Sequence, residues 1–138
     1  MHGVLIATET TRAGHAADVV KELNLEQYDG ILSISGDGLL AEIINALAAR
    51  PDGEVALRTP VAILAGGSGN GLAWSTGFGS PVDGVRKFLH GLYRPLDLLY
   101  VDQPSSKQQR HCFLSVAWGL MSDLDFEVSL DQQVLYML

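Results

Sequence analysis

The sequence predicts an α/β fold in which a parallel sheet with helices on both faces is followed by an antiparallel hairpin. Strand and helix signals alternate over residues 1–94, as they do in proteins with parallel sheets. The strand segments are continuous apolar runs, which is typical of parallel strands buried on both faces. After Pro95, two apolar segments flank a polar loop, and this arrangement indicates a hairpin.

The composition limits the possible classes of protein. A chain of 138 residues has the size of one ordinary domain, and 47% apolar residues with 18% charged residues are typical of a globular protein. The net charge of −7 disfavours a nucleic-acid partner, because phosphate backbones repel an acidic surface. Cys112 is the only cysteine, which excludes an internal disulfide and fits a reducing compartment. We expect no secretory signal, because no basic start precedes an apolar stretch.

The predicted strands and helices alternate from residue 3 onward. An apolar run at residues 3–8 predicts a buried strand, and the apolar stripe within residues 13–25 predicts a helix. Residues 31–35 and 61–65 predict two further buried strands of the same sheet. The segment between these two strands, residues 39–50, predicts the clearest helix of the chain. Its apolar side chains share one face, and they are Leu40, Ile43, Ile44, Leu47 and Ala48.

Residues after the third strand predict a short helix and a longer one. The short helix ends at Trp74, and the longer helix covers residues 82–92. Residues 96–101 and 112–118 then predict the two strands of the hairpin, joined by a polar loop at residues 102–110.

Two glycine loops follow predicted strand ends. Residues 35–38 (Ser-Gly-Asp-Gly) open the helix at 39–50, and residues 66–71 (Gly-Gly-Ser-Gly-Asn-Gly) open the short helix. The carboxyl ends of parallel strands form the ligand-binding edge of an open sheet. Glycines there let the backbone approach a phosphate, and helix N-termini offer N–H donors. Either loop alone is also consistent with an ordinary tight turn, but two loops on one edge favour a phosphate ligand.

Asp37 lies inside the first glycine loop, where its charge would repel a phosphate. Three roles are open to it: ligand of a metal ion, base for a substrate hydroxyl, or cap of a helix. Phosphoryl transfer to an alcohol needs a base or a positioning group near the attacking oxygen. Neither loop matches the P-loop pattern, and the motifs of protein kinases are absent from the sequence.

Four separated motifs resemble the catalytic domain of sphingosine kinases, which belong to the wider diacylglycerol-kinase-like lipid kinases. They cover residues 10–16, residues 35–45 from Ser-Gly-Asp-Gly through Glu42 and Asn45, residues 67–73, and residues 115–125. They stand in the family's order and span most of the chain. The Gly-Ser-Gly-Asn form of the second glycine loop favours sphingosine kinases over ceramide and bacterial diacylglycerol kinases.

The resemblance implies a Rossmann-like parallel sheet followed by the first antiparallel strands of an incomplete β-rich domain. Residues 1–94 would be the nucleotide-binding domain, without the family's first strand and first glycine loop. Residues 95–138 would be the start of a lipid-binding domain. After Asp125 the sequence departs from the family and offers no arginine for ATP, so we expect this chain alone to be inactive.

The resemblance also assigns roles to individual residues. Asp37 would be the general base, with ATP and Mg²⁺ as cofactors and no protein metal site. The residues implied to bind ATP are Thr10, Thr11, Arg12, Ala13, Gly14, Glu42, Gly67, Ser68, Gly69 and Asn70. The residues implied to bind the substrate are Ser35, Gly36, Asp37, Gly38, Ser115, Leu120 and Asp125. Asp125 would select the protonated amine of a sphingoid base over a neutral glycerolipid.

Other functions remain open beside phosphorylation of a sphingoid base. The acceptor could be diacylglycerol or ceramide on the same fold. The chain could also be an inactive truncated isoform that binds lipid or a full-length partner. A sugar or nicotinamide kinase remains an interpretation of the Gly-Asp-Gly loop only if residues 115–125 match the family by chance. We expect a cytoplasmic protein with peripheral membrane contact, and self-association if apolar strands lack their sheet partners.

Overall fold

The computed structural model describes residues 4–77, 80–105 and 108–116 and confirms the predicted α/β fold class. The elements in chain order are α1 (His15–Glu22), a 3₁₀ turn (Leu25–Gln27), β1 (Ile31–Ser35), α2 (Asp37–Ala48), α3 (Gly53–Ala56), β2 (Val61–Ala65), α4 (Gly71–Ser75), α5 (Pro81–Leu89), β3 (Leu99–Gln103) and β4 (Gln108–Cys112).

The strands form two pairs of opposite orientation. β1 and β2 are parallel, with Ile31 opposite Val61 and Ser35 opposite Ala65. The same register therefore brings the carboxyl ends of both strands, and the glycine loops that follow them, to one edge. β3 and β4 form the predicted antiparallel hairpin, with Tyr100 opposite His111.

Helix α2 lies between two apolar clusters and is the centre of the core. The first cluster joins α2 to α1 and α3, and its buried members are Ala16, Val20, Ile43, Ala46, Leu47 and Ala56. The second joins α2 to β2 and α4, and its buried members are Leu40, Ile44, Ile63, Leu72 and Ala73. The apolar face predicted for this helix is therefore confirmed at Leu40, Ile43, Ile44 and Leu47, whereas Ala46 is buried in place of the predicted Ala48, which is only partly buried.

Strand β2 is covered on both faces, whereas β1 is open on one. Ile63 belongs to the second cluster, and its neighbour Leu64, which points to the opposite face, is also buried. Helix α5 contacts β2, and the ring of Phe88 on α5 lies against Gly30 at the start of β1. Ile34 of β1 is 74% exposed, so none of the described residues covers the outer face of this strand at its carboxyl end.

The strand predicted at residues 3–8 is wrong for the described part of this segment. Residues 4–8 form no strand, and Val4 and Leu5 are 91% and 81% exposed. An apolar run becomes a buried strand only where a neighbouring strand accepts its backbone hydrogen bonds. None of the described strands pairs with this segment, so its side chains face solvent.

Several predicted boundaries shift for identifiable reasons. α1 ends at Glu22 rather than at residue 25, and α5 ends at Leu89, where Gly91 adopts φ +65° and closes the helix. The hairpin strands extend into the polar segment predicted as a loop, because cross-strand pairing reaches Gln103 and Gln108. Residues 113–116 are not in a strand, and residues 117–118 lie outside the described residues. The helices of the described residues include none with the length and hydropathy of a membrane span.

Arg50 fixes the end of α1 beneath α2, a role that the sequence pattern did not predict. Its Nη1 donates to the carbonyls of Val20, Lys21 and Leu23 at 2.8, 3.1 and 3.0 Å. Its Nε donates to Asp52 at 2.8 Å, and this hydrogen bond lowers the pKa of Asp52. One side chain thus satisfies three carbonyls that a helix C-terminus leaves without partners.

Candidate functional site

The two glycine loops lie side by side at the carboxyl edge of the parallel strands. The N–H of Gly66 donates to the carbonyl of Ser35 at 3.1 Å, which extends the strand pairing by one residue. Ser35 is itself bonded through its hydroxyl to Ser33 at 2.6 Å and to the carbonyl of Gly36 at 3.0 Å. The predicted juxtaposition of the loops is therefore present in the structure.

The loops touch backbone to backbone, and this contact explains two of their glycines. A Cβ atom added to Gly67 would lie against the Cα of Gly36 and only 2.6 Å from its nitrogen. A Cβ added to Gly36 would lie 3.0 Å from the carbonyl oxygen of Gly69. Gly38 and Gly69, in contrast, have open space where a Cβ would stand. Packing thus leaves no room for a Cβ at position 67 and little at position 36, whereas positions 38 and 69 have space for one.

Asn70 closes the second loop on itself. Its Oδ1 accepts the N–H of Gly67 at 3.0 Å, and its Nδ2 donates to the carbonyl of Gly67 at 2.7 Å. The N–H groups of Ser68 and Gly69, which lie between these two residues, are exposed and have no acceptor among the described residues. A closed loop with outward N–H groups is suited to an anion.

Asp37 joins the first loop to the helix that follows the second. Its Oδ2 accepts the N–H of Gly71 at 2.7 Å and its Oδ1 accepts the N–H of Leu72 at 3.1 Å. Among the three roles open to Asp37, capping is present, but the helix capped is α4 and not its own helix α2. We call this pair of hydrogen bonds the Asp37 bridge. A carboxylate has about four acceptor positions, so the bridge leaves capacity for a further partner.

Glu42 holds the segment that the resemblance assigns to the nucleotide. Its Oε1 accepts the N–H of Ala17 at 2.9 Å, and its Oε2 accepts the N–H of Gly14 at 3.3 Å. Gly14 has φ +79°, a conformation that favours glycine and turns the chain into α1. Glu42 therefore binds the backbone at the start of α1, next to the implied ATP residues Thr10 to Ala13.

Those implied ATP residues are exposed and ordered by local contacts. The N–H of Thr11 donates to Nδ1 of His15 at 3.1 Å. The guanidinium of Arg12 lies 2.6 Å from Asp18, and this hydrogen bond lowers the pKa of the Asp18 carboxyl. Both side chains of this ion pair are about half exposed, at 61% and 47%. The cation is thus directed toward α1 in this structure.

Asn45 attaches the hairpin to α2, a role that its place in the motif did not reveal. Its Oδ1 accepts the N–H of His111 at 2.8 Å, and its Nδ2 donates to the carbonyl of His111 at 2.9 Å. The side-chain amide thereby pairs with β4 as a neighbouring strand would. Asparagine has a low helix propensity, because its side chain competes for backbone hydrogen bonds. Its presence inside the predicted helix is the sequence feature that could have indicated a tertiary contact.

The segment that follows the hairpin reaches the glycine loops. Phe113 packs against the second cluster, and a Cβ added to Gly71 would lie 2.8 Å from a methyl group of Leu114. Ser115, implied to bind substrate, is exposed, and its carbonyl accepts a hydrogen bond from the Cys112 thiol at 3.0 Å. Leu120 and Asp125 lie outside the described residues.

The carboxylates of the described chain do not gather into a metal site. No group of three or more His, Cys, Asp or Glu side chains that could hold a metal is present in the parts of the chain that the structure describes. Magnesium in phosphate-transfer enzymes is held largely by the phosphates themselves and by one or two carboxylates. Asp37 lies at the glycine loops, and its carboxylate keeps acceptor capacity that such an ion could use.

Comparison with known proteins identifies the family of this arrangement. The model of the diacylglycerol kinase catalytic domain matches residues 2–101, which include both glycine loops and Asp37. The chain belongs to the diacylglycerol kinase catalytic domain family. Both glycine loops and the Asp37 bridge therefore lie within the part of the chain that matches this kinase domain.

Several curated relatives of this kinase domain carry names of lipid kinases. Sphingosine kinase 2 of Homo sapiens is 44% identical over 130 residues, covering 86% of this chain and 20% of that protein. Sphingoid long chain base kinase 4 of Schizosaccharomyces pombe is 36% identical, covering 90% and 27%. Sphingosine kinase 1 of Homo sapiens is 34% identical, covering 86% and 33%. The chain therefore spans between a fifth and a third of the length of these relatives.

The packing of the two loops predicts different outcomes for two glycines of the second loop, Gly67 and Gly69. Gly67→Ala places a methyl group against the backbone of Gly36, so we expect a loss of about 1–3 kcal/mol in the free energy of unfolding. Gly69→Ala meets open space, and we expect a change within about 0.5 kcal/mol. Chemical denaturation of both variants measures the difference. Equal stability of the two would show that the loops do not pack as described.

Proposed function

We propose that this chain is part of a lipid kinase that transfers the γ-phosphate of ATP to the primary hydroxyl of a sphingoid base. The observation that carries the proposal is the contact of the two glycine loops with Asp37 at their junction. The names of the relatives support a lipid acceptor, and several of them name sphingosine or a sphingoid base. We also propose the division into a nucleotide-binding domain at residues 1–94 and the start of a lipid-binding domain at residues 95–138.

The N–H groups at the site would bind the phosphates of ATP. The N–H groups of Ser68 and Gly69, and that of Gly38 in the first turn of α2, have no acceptor among the described residues. Partial positive charge at the start of α2, a helix of 12 residues, adds to the attraction for an anion. Magnesium bound with the nucleotide would neutralise charge on the transferred group.

Asp37 would act as the general base. As the hydroxyl oxygen attacks the γ-phosphorus, the carboxylate takes the hydroxyl proton, and the bond from the phosphorus to the bridging oxygen breaks. The Asp37 bridge fixes the direction of the carboxylate before substrate arrives, since each oxygen already accepts one backbone N–H. Positioning of this kind is the larger part of catalysis in phosphoryl transfer.

Substrate selection would depend on residues that follow the hairpin. Asp125 would pair with the protonated amine of a sphingoid base, Ser115 would lie beside it, and Leu120 would line the pocket for the chain of the lipid. A fixed carboxylate favours an amine over the neutral headgroup of diacylglycerol. The attachment of β4 to α2 through Asn45 would keep this segment next to the glycine loops.

The role of Asp37 is tested in Homo sapiens sphingosine kinase 2 whose matching 130-residue segment is replaced by that of this chain. We expect Asp37→Asn to lower kcat for sphingosine about 10²–10⁴-fold, because the attacking hydroxyl loses its base. The KM for ATP should change about threefold or less, because the N–H groups assigned to the phosphates belong to other residues. Asp29→Asn, an exposed carboxylate in the turn before β1, is the matched control.

Two results would contradict this assignment. An Asp37→Asn enzyme with nearly unchanged kcat would exclude a base at this position. If Asp37→Asn loses ATP affinity and thermal stability, and these losses account for the whole fall in rate, the Asp37 bridge is structural only. An assay of the unsubstituted chimera with sphingosine, ceramide and diacylglycerol then identifies the acceptor. A preference for a lipid without a free amine would contradict the proposed substrate.

The 138-residue chain by itself should show no measurable phosphorylation of sphingosine. It matches only 20–33% of the length of the three kinases compared above, and phosphoryl transfer needs every group that positions the two substrates. The measurement is transfer from labelled ATP to sphingosine, with full-length Homo sapiens sphingosine kinase 2 as the positive control. Formation of sphingosine 1-phosphate by the chain alone would overturn the expectation.

A further inference from the structure

Asn45 binds two parts of the molecule at once through its side-chain amide. Its Nδ2 donates to the carbonyl of Ala41 on its own helix at 2.8 Å and to the carbonyl of His111 on β4 at 2.9 Å. Its Oδ1 accepts the N–H of His111 at 2.8 Å. A reversed amide would set donor against donor and acceptor against acceptor at His111, so these bonds fix its orientation. We call the two bonds to His111 the Asn45 clamp.

The chain that leaves β4 returns at once to the neighbourhood of Asp37. Phe113 packs against the second apolar cluster, and Leu114 lies over Gly71 at the start of α4. A Cβ atom built on Gly71 would stand 2.8 Å from one methyl group of Leu114 and 3.4 Å from the Oδ2 of Asp37. The methyl group and the carboxylate thus lie close to the same point. Leu114 is 47% exposed, so part of its side chain remains open to a ligand.

These contacts close a ring that starts and ends on α2. The Asp37 bridge joins α2 to the start of α4, where Gly71 meets Leu114. The chain from Leu114 leads back into β4, and the Asn45 clamp joins β4 to α2. Close-packed contacts transmit a displacement from one member to the next, because there is little free space to absorb it. A shift at the Asn45 clamp would therefore reach Leu114.

We propose that Asn45 is a positioning residue for the lipid acceptor, because its clamp holds Leu114 as a wall of the acceptor site beside Asp37. The inference rests on the proposed function and adds to it the residues that place the acceptor. The position suits an acceptor with a hydroxyl group beside hydrocarbon, since the hydroxyl would face the carboxylate and the hydrocarbon would cover the half-exposed leucine. Asn45 would act through the backbone of His111 and not by touching the lipid.

NMR of the 138-residue chain tests the positioning without any assay of activity. We expect a nuclear Overhauser contact between a Leu114 methyl group and the α-protons of Gly71. Asn45→Ala should abolish this contact and speed amide exchange at His111 roughly tenfold or more, because the clamp is lost.

An isosteric variant separates hydrogen bonding from packing. Asn45→Asp keeps the shape of the side chain and one acceptor oxygen, but it places a second oxygen against the carbonyls of Ala41 and His111. It should therefore abolish the contact between Leu114 and Gly71 as Asn45→Ala does. The matched control is Asn24→Ala, which removes another bond from an asparagine to the backbone, the one at 3.3 Å from the N–H of Glu26. That variant should leave the contact unchanged.

Kinetics of the sphingosine kinase 2 chimera test the consequence for the acceptor. Asn45→Ala should raise the KM for sphingosine about tenfold, because the wall of the acceptor site is displaced. The KM for ATP should change about twofold or less, because the N–H groups assigned to the phosphates lie on other residues. A purely structural role would lower the fraction of folded enzyme, which reduces kcat without changing either KM. Thermal melting shows that the assays are run below the transition of each variant.

A substitution at Gly71 moves Leu114 while the Asn45 clamp stays intact. In Gly71→Ala the new methyl group meets the flexible end of Leu114, and the Asp37 bridge is kept because its donor is a backbone N–H. The KM for sphingosine should rise about fivefold. When Leu114→Ala is already present, adding Gly71→Ala should change this KM about twofold or less, because nothing is left to displace. Leu89→Ala, at a leucine of α5 that is 71% exposed, is the control for loss of an exposed leucine.

Three outcomes would overturn the proposal. The first is a contact between Leu114 and Gly71 that persists in Asn45→Ala, and the second is an equal rise in the KM for sphingosine and for ATP. The third is a full fivefold effect of Gly71→Ala in the Leu114→Ala background. A chimera without activity on sphingosine would instead contradict the proposed function, and the NMR contact in the chain would still decide whether Asn45 positions Leu114.

Discussion

The hydrogen bonds from the N–H groups of Gly71 and Leu72 to Asp37 are the constraint on which the candidate site depends. They are charge-assisted, and bonds of this kind contribute about twice as much as neutral ones. Because Asp37 begins α2 and Gly71 begins α4, the bridge fixes the distance between two helices whose preceding loops touch through Gly36 and Gly67. The same carboxylate would be the base, so the structural and chemical roles of one side chain are coupled.

Helix α2 extends this coupling to the rest of the molecule. Asp37, Glu42 and Asn45 stand on one helix, and each binds the backbone of a different segment: the start of α4, the start of α1, and β4. The buried side chains of α2 meanwhile contribute to both apolar clusters. Side chains that bind backbone N–H groups must be held in place, because a hydrogen bond depends on distance and angle. The close-packed clusters on either side of α2 hold the helix, and with it these three side chains, in position. The start of α4, the start of α1 and the hairpin are thus ordered by one helix.

Patterns of apolar residues predicted the central elements well, because α2 and β2 are packed in the core and β1 pairs with β2 along its whole length. Alternating strands and helices also predicted that both glycine loops meet at one edge. The strand predicted at residues 3–8 is wrong for its described part, because an apolar run does not indicate whether a neighbouring strand is present to pair with it. The bonds of Asp37, Glu42, Asn45 and Arg50 join residues far apart in sequence, and no local pattern encodes their partners. Motif resemblance marked three of these residues without revealing what they contact.

Amide hydrogen exchange at Gly71 and Leu72, measured by NMR in the chain and in its Asp37→Asn variant, tests the central claim most directly. Exchange at both amides should be slow in the chain and roughly tenfold or more faster in the variant, because a hydrogen bond to a charged acceptor is lost. The amides of Ser68 and Gly69, which have no acceptor among the described residues, serve as internal references and should exchange rapidly in both. Exchange at Gly71 and Leu72 that is as fast as at the references, or unchanged by the substitution, would contradict the Asp37 bridge.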